Sequence, residues 1–196
     1  MGPITKRLLT TYMDVVRGVD PAWSPDGTQL AFVGSTVDSA ALYVVDVNSE
    51  NVRRLPQPAE LEQWPAHPTW SPDGTRIAFA ALDFTRAYTS SDLGVVHRDG
   101  TGLEWLVATD DSEEEAPSWS PDGSRIAFLR TGNKGHEIWT VDREGDSPRL
   151  VARALEASLE ADLAWAPDGS PRPSSSARHA SSTSTCGLTS TTCGTT

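Results

Sequence analysis

One stretch of sequence decides the fold. Pro21-Ala-Trp-Ser-Pro-Asp-Gly-Thr-Gln-Leu-Ala-Phe32 returns as Pro68-Thr-Trp-Ser-Pro-Asp-Gly-Thr-Arg-Ile-Ala-Phe79 and again as Pro117-Ser-Trp-Ser-Pro-Asp-Gly-Ser-Arg-Ile-Ala-Phe128. A fourth copy begins at Leu163-Ala-Trp-Ala-Pro-Asp-Gly-Ser170 and then diverges. The tryptophans of the four copies are 47, 49 and 46 residues apart. This period is close to the length of one propeller blade, which is about 40 to 50 residues.

The Ser-Pro-Asp-Gly core of each copy predicts a tight turn between two strands. Proline fixes φ near its turn value, aspartate can bind the local backbone, and glycine accepts a positive φ. The Pro-x-Trp segment therefore enters a hairpin, and the Ile/Leu-Ala-Phe segment leaves it.

Two further strands can be read in each complete repeat. A second alternating apolar run follows the hairpin at 42–47, 93–97 and 137–142, and a turn and a fourth strand follow at 52–55, 103–107 and 148–151. The sequence therefore predicts an all-β fold: β-propeller blades of four antiparallel strands, about three complete blades plus the start of a fourth, making a partial propeller.

The repeated aromatic and acidic residues have structural explanations. A blade cannot bury both faces alone, so we expect Trp23, Trp70, Trp119, Phe32, Phe79 and Phe128 to fill the layers between stacked blades. Asp26, Asp73, Asp122 and Asp168 recur at the turn, and the turn accounts for them. Calcium would need several oxygen ligands converging on one loop, so no metal site is expected there.

The motif Trp-Ser-Pro-Asp-Gly-x-x-Ile-Ala-Phe, followed by an Ile/Leu-aromatic-x-Val-Asp strand, resembles the WD-like repeat of the bacterial TolB-like β-propeller family. The resemblance covers about residues 20 to 170. It implies a propeller that is non-enzymatic and periplasmic in TolB, and that serves as the propeller domain in prolyl-oligopeptidase-like peptidases. We expect the chain to depart from these relatives, because the sequence shows no evident signal peptide, no additional N-terminal domain and too few repeats for a six- or seven-bladed ring.

Three segments are predicted: an N-terminal lead-in at 1–19, the TolB-like repeats at 20–169, and a disordered Ser/Thr-rich tail at 170–196. The tail contains fifteen Ser or Thr and no acidic residue, a composition that cannot bury a core. Because the break falls in the middle of a motif, we expect a truncated or frameshifted repeat protein, and a natural disordered linker or glycosylated stalk is the alternative. Open blade edges would then favour self-association.

Composition excludes several function classes. A net charge of −11 repels a nucleic-acid backbone, so no nucleic acid is expected. The apolar runs are too short to cross a bilayer, and no signal peptide is seen, so the chain as it stands is expected to be cytoplasmic. Cys186 and Cys193 both lie in the tail, and His67, His97, His136 and His179 are scattered. No zinc site is therefore expected.

No catalytic, cofactor-binding or metal-binding residue is predicted. The sequence has no nucleophile elbow, phosphate loop or His-Glu-x-x-His motif. The glycines of Thr131-Gly-Asn-Lys-Gly135 indicate an inter-strand turn, and the acidic run 110–115 a solvated loop. We expect a non-enzymatic interaction scaffold that binds a protein or peptide, without a cofactor. The alternatives are the propeller of an S9-type serine peptidase that has lost its hydrolase domain, and a propeller lyase or hydrolase with a site in the central channel.

Overall fold

The computed structural model describes residues 17–35, 39–56, 64–83, 90–154, 163–166 and 169–173. Blade 1 consists of β1 (Arg17–Trp23), β2 (Gln29–Ser35), β3 (Ala40–Asp46) and β4 (Val52–Arg54). Blade 2 consists of β5 (Trp64–Trp70), β6 (Arg76–Asp83), β7 (Ser90–His97) and β8 (Glu104–Val107). Blade 3 consists of β9 (Ser112–Trp119), β10 (Arg125–Gly132), β11 (Gly135–Asp142) and β12 (Arg149–Ala154). The fourth unit is the hairpin of β13 (Leu163–Trp165) and β14 (Pro171–Pro173).

Within each blade, strands that are consecutive in sequence pair antiparallel. This is the predicted partial propeller of three four-stranded blades and the start of a fourth, so the predicted fold class is confirmed. A single parallel pair, Ser91 with Glu113, joins blades 2 and 3 into one eight-stranded sheet. Among the described residues, no helix is long and apolar enough to cross a bilayer.

The core consists of layers between successive blades. Phe79 and Trp70 of blade 2 pack with the Val33 side of blade 1, and Phe128 and Trp119 of blade 3 pack with Leu93 of blade 2. A third layer lies between blade 3 and Leu163 of the fourth unit. Successive side chains of a strand point to opposite faces of its blade, so each central strand contributes to the layers on both sides. Both faces of such a strand are therefore apolar.

The expectation for the repeated aromatic residues is met by four of the six. Phe79, Phe128, Trp70 and Trp119 are buried in layers between two blades. Phe32 is also buried, but its cluster within the described residues consists of blade 1 residues, and Trp23 is 55% exposed. Each buried tryptophan lies against the preceding blade. The described part of the chain contains no blade before blade 1, and this is the physical reason why Trp23 differs.

The first residues of the predicted tail belong to the fourth hairpin, since Pro171 pairs with Trp165 and Pro173 with Leu163. Residues 174–196, with Cys186, Cys193 and His179, lie outside the described residues, as do residues 1–16. The three-segment division of the chain therefore stays a prediction.

Candidate functional site

In the described part of the chain, the repeated aspartates Asp26, Asp73 and Asp122 accept hydrogen bonds from their own turns. Asp122 Oδ1 accepts hydrogen bonds from the Ser120 hydroxyl (2.6 Å) and from the backbone N–H (3.0 Å) and hydroxyl (2.8 Å) of Ser124. Asp26 and Asp73 make the same three contacts in their own turns. These hydrogen bonds lower the pKa of each of the three carboxyls to about 2, and the bond from the serine hydroxyl makes the largest contribution. Asp168 lies outside the described residues.

The repeated tryptophans lock one blade to the next. Trp70 Nε1 donates to the carbonyl oxygen of Ala22 at 3.0 Å, and Trp165 Nε1 donates to that of Ser118 at 3.0 Å. In both joints the acceptor is the residue just before the tryptophan of the preceding unit. Trp119 Nε1 is buried without a hydrogen-bond partner among the described residues. The middle joint is held instead by the Ser91–Glu113 pair and by the Ser91 hydroxyl, which donates to the carbonyl oxygen of Glu114 at 3.0 Å. These tryptophans are therefore structural.

A pocket of about 320 Å³ lies at the opposite end of blade 3 from its Ser-Pro-Asp-Gly turn. Its walls come from the segment between β8 and β9 and from the β10–β11 hairpin, which meet because Ser112 pairs with Gly132. The lining combines one indole with hydroxyl, amide and charged side chains: Thr109, Asp111, Ser112, Arg130, Gly132, Asn133, Lys134, Gly135, Glu137 and Trp139.

Glu114 lies directly behind this lining and is fully buried. Its Oε1 accepts hydrogen bonds from Thr109 (2.9 Å), Ser112 (3.0 Å) and Arg130 Nε (2.9 Å), while Oε2 has no partner among the described residues. Burial raises the pKa of Glu114, and the hydroxyls and the guanidinium only partly offset it. The prediction of a solvated acidic loop is therefore wrong for residues 112–115, which belong to β9.

Three side chains contact Arg130. Its guanidinium carbon lies 4.8 Å from the ring centroid of Trp139 and 5.6 Å from that of Phe128, and its Nε is bound to Glu114. Cation–π contact and a buried anion together restrict the side chain to one orientation. About a fifth of it remains exposed, on the side of the pocket.

Glu137 is the second buried acid at this pocket. One carboxylate oxygen accepts the indole N–H of Trp139 at 2.9 Å, and the other lies 3.1 Å from Nε of Arg153. Trp139 is thus fixed by Glu137 on its edge and by Arg130 on its face. Arg130, Glu137 and Trp139 thus line the pocket as connected side chains, with Glu114 behind Arg130 and Arg153 beside Glu137.

The predicted Thr131–Gly135 turn is confirmed as the link between β10 and β11, and it also forms one wall of the pocket. His67 lies on β5, His97 ends β7, and His136 lies on β11 with its Nδ1 2.9 Å from the Thr131 hydroxyl. In the described part of the chain no three His, Cys, Asp or Glu side chains are grouped as a metal site would require.

The sequence contained a usable signal for part of the pocket and none for the rest. Glu137 begins a strand that the sequence predicts, and its position in that strand alternates with those of the apolar residues, whereas Glu114 lies in a run that the sequence indicated as a loop. Once the blades are aligned, Arg130 falls in the layer of Ile126 and Phe128, since it follows them at alternate positions. Nothing in the sequence indicates that Asn133 and Lys134 line a pocket, because exposed polar residues are common in a hairpin turn.

The arrangement can bind a polar ligand. It presents N–H donors from Arg130 and Lys134, carboxylate oxygens from Asp111 and an aromatic ring, in a recess whose acids are already paired. Concave sites with a few fixed polar groups beside an aromatic surface are typical of ligand pockets.

Comparison with known proteins agrees with this architecture. The family model of the dipeptidyl peptidase IV (DPP IV) N-terminal region matches residues 38–156, more than half of the chain. No curated protein sequence matches it.

Three solved structures are similar in fold. The putative TolB from Agrobacterium tumefaciens has 21% identity and a TM-score of 0.59, with 70% of this chain and 50% of that one covered. Oligogalacturonate lyase from Vibrio parahaemolyticus has 18% identity and a TM-score of 0.60, covering 78% and 45%. The β-propeller domain of the Trilobed protease from Pyrococcus furiosus has 16% identity and a TM-score of 0.55, covering 77% and 46%. The chain spans half or less of the length of each.

Proposed function

Because this chain belongs to the family of the dipeptidyl peptidase IV N-terminal region and has the TolB-like β-propeller fold, we propose that it is a non-catalytic scaffold that binds a protein or peptide partner. The observation that carries the proposal is the polar pocket between Lys134 and Thr109, which is formed at one end of the blades. Connecting segments held by a rigid scaffold are where repeat proteins place their binding residues.

The residues of the repeat favour a scaffold over an enzyme. The turn aspartates are occupied by their own turns, and two of the four tryptophans are bound to backbone carbonyls. These repeated groups hold the blades together. The pocket, by contrast, is lined by polar side chains that do not recur from blade to blade, among them Arg130 and Lys134.

Peptide binding tests this function. The whole chain would be incubated with a mixed digest of cellular proteins, and retained peptides would be identified by mass spectrometry, resynthesised and titrated by calorimetry. Asn133→Tyr, which fills the pocket mouth, should weaken binding at least about tenfold, or 1.4 kcal/mol. Asn48→Tyr is the matched control, because Asn48 is also an exposed turn residue but lies on blade 1, at the end opposite to that of the pocket. If synthetic peptides bind both variants equally, the pocket is not the binding site.

The second candidate is the propeller domain of an S9-type serine peptidase, and the family match is the observation that favours it. In that case an open reading frame for a hydrolase domain with a Gly-x-Ser-x-Gly elbow follows the repeats in the gene. Sequencing the region downstream of the codon for residue 169 in all three frames distinguishes the two. A peptidase assay of the full-length product, with its elbow serine changed to alanine as the control, then checks the activity.

A further inference from the structure

We propose that the pocket recognises a carboxylate group of its peptide partner, with the terminal nitrogens of Arg130 as the main donors and Lys134 as the second cation. This inference rests on the proposed function, and it specifies the chemistry that the partner presents.

The first step of the argument is the state of Arg130. Within the described part of the chain, Glu114 holds the guanidinium through Nε, and the rings of Trp139 and Phe128 flank it. Nη1 and Nη2 make no hydrogen bond among the described residues, and Arg130 belongs to the lining of the pocket, so their donors are available to a ligand there. An arginine fixed in this way loses little conformational entropy when a ligand binds, and its planar fork matches the two oxygens of a carboxylate.

The second step is the charge around Arg130. Glu114 is bound to Arg130 itself, and Glu137 is bound to Arg153 and to the Trp139 indole. The negative charge of each buried acid is thus paired with an arginine of this chain. Lys134 and Asp111, both exposed, leave the rim with one charge of each sign.

The third step selects carboxylate over phosphate. The chain carries a net charge of −11, and Asp111 stands at the rim, so a doubly charged group meets stronger repulsion than a singly charged one. One planar fork with a single lysine beside it suits one carboxylate. The carboxylate can be the C-terminus of a peptide or an Asp or Glu side chain, and the experiment separates these sources.

The test compares three probes on the whole chain by ligand-observed NMR titration at low ionic strength. They are N-acetyl-Ala-Ala-Ala with a free carboxylate, the same peptide as its C-terminal amide, and N-acetyl-Ala-Glu-Ala amide. Hydrogen bonds to charged groups contribute about 1.5–3 kcal/mol, so the amide of the first peptide should bind roughly ten- to a hundredfold more weakly than its acid. Binding of the Glu-containing amide identifies a side-chain carboxylate as an accepted source, and its failure restricts the site to C-termini.

Variants locate the interaction. Arg130→Gln combined with Glu114→Gln replaces the ion pair by a neutral pair, and it should lower affinity for the acid probe at least about tenfold. Lys134→Gln should lower it a few-fold, and Asp111→Asn should raise it a few-fold, since both are exposed charges. Arg149→Gln, an exposed arginine on β12, is the control and should change nothing. If the double variant does not fold, the affinities of Lys134→Gln and Asp111→Asn for the acid probe test the proposal.

Equal binding of acid and amide, or unchanged acid binding in all three pocket variants, overturns the carboxylate assignment. Such results leave the proposed function standing if longer peptides still bind in a manner sensitive to Asn133→Tyr. Failure of those peptides as well refutes both.

Discussion

Trp105 on β8 packs edge-on against Phe79 on β6, with ring centroids 6.3 Å apart and ring planes at 62°. In blade 1 the corresponding phenylalanine, Phe32, instead stacks on Tyr43 of the neighbouring strand at 5.5 Å. Blade 2 has Gly94 opposite Phe79 at that position, and the Trp105 ring comes close to the glycine from the outer strand. The same aromatic contact is therefore achieved from a different strand.

Gly94→Ala should destabilise the protein for this reason. A Cβ at Gly94 would lie 2.9 Å from Cζ of Phe79 and 3.1 Å from Cζ3 of Trp105, closer than ordinary packing allows. Overpacking of this kind costs about 1–3 kcal/mol in the free energy of unfolding. Urea unfolding followed by circular dichroism measures the loss. Phe79→Leu removes Cζ, so the added cost of Gly94→Ala should shrink in a Phe79→Leu background; full additivity of the two changes would argue against the contact.

The Arg130–Glu114 pair gives a second prediction. Arg130→Leu leaves Glu114 buried without its cation, and loss of one partner of a buried pair costs about 3–5 kcal/mol. Because Arg130 lies partly at the surface, we expect about 2–3 kcal/mol. Glu114→Gln in the same chain should restore part of this, which a double-mutant cycle by urea unfolding measures.

The destabilised Arg130→Leu variant should also respond to pH in a defined direction. The pKa of Glu114 is already raised by burial, and removal of the guanidinium raises it further. The protonated form then favours folding, so the variant should regain stability relative to the wild type as the pH falls from 7 towards 5. A stability difference that is constant over this range would mean that Glu114 stays fully ionised.

Most of the fold could be predicted from the repeat. The Ser-Pro-Asp-Gly motif indicates a turn, the alternation of apolar residues indicates strands, and the spacing of the tryptophans indicates one blade per repeat. The positive φ of Gly27 and the inward-facing Phe128 follow directly from these rules. The pocket could not be predicted in the same way. It depends on which side chains from β9, β10 and β11 meet, and on the burial of Glu114 in a run that is compositionally typical of a solvated loop.

Trp23 illustrates the same limit in the core. Its local sequence is that of Trp70, yet one is 55% exposed and the other 6%. The difference lies in whether a blade precedes the residue in space, which no local pattern encodes.

The glycine of the repeated turn gives a third prediction. Gly27 has a φ of 70°, and no atom lies within 4 Å of the position that a Cβ would take, so a substitution there meets only backbone strain. Gly27→Ala should cost about 1–3 kcal/mol. Asn tolerates the left-handed region better than Ala, so Gly27→Asn should cost less. Thermal unfolding of the two variants side by side measures the difference, and equal melting temperatures would show that φ at this turn relaxes.

The last prediction concerns acid. Asp26, Asp73 and Asp122 have a pKa of about 2 in the fold against an ordinary 3.8, because each carboxylate accepts at least three hydrogen bonds from its turn. A depressed folded-state pKa contributes stability that is present above the unfolded value and is lost as the pH falls from about 3.8 to 2. The raised pKa values of Glu114 and Glu115 act in the opposite direction, so stability should rise as the pH falls from 7 and then fall steeply below about 4.

Urea unfolding at a series of pH values gives this profile, and Asp73→Asn identifies its acid limb. The variant lacks the ionised carboxylate, so it should be less stable than the wild type at pH 7 and should approach wild-type stability towards pH 2. Asp111→Asn changes an exposed carboxyl outside the turns and is the matched control. If the gap between Asp73→Asn and the wild type were the same at pH 2 as at pH 7, the charge of Asp73 would not stabilise the turn, and the acid limb would have to come from other carboxyls.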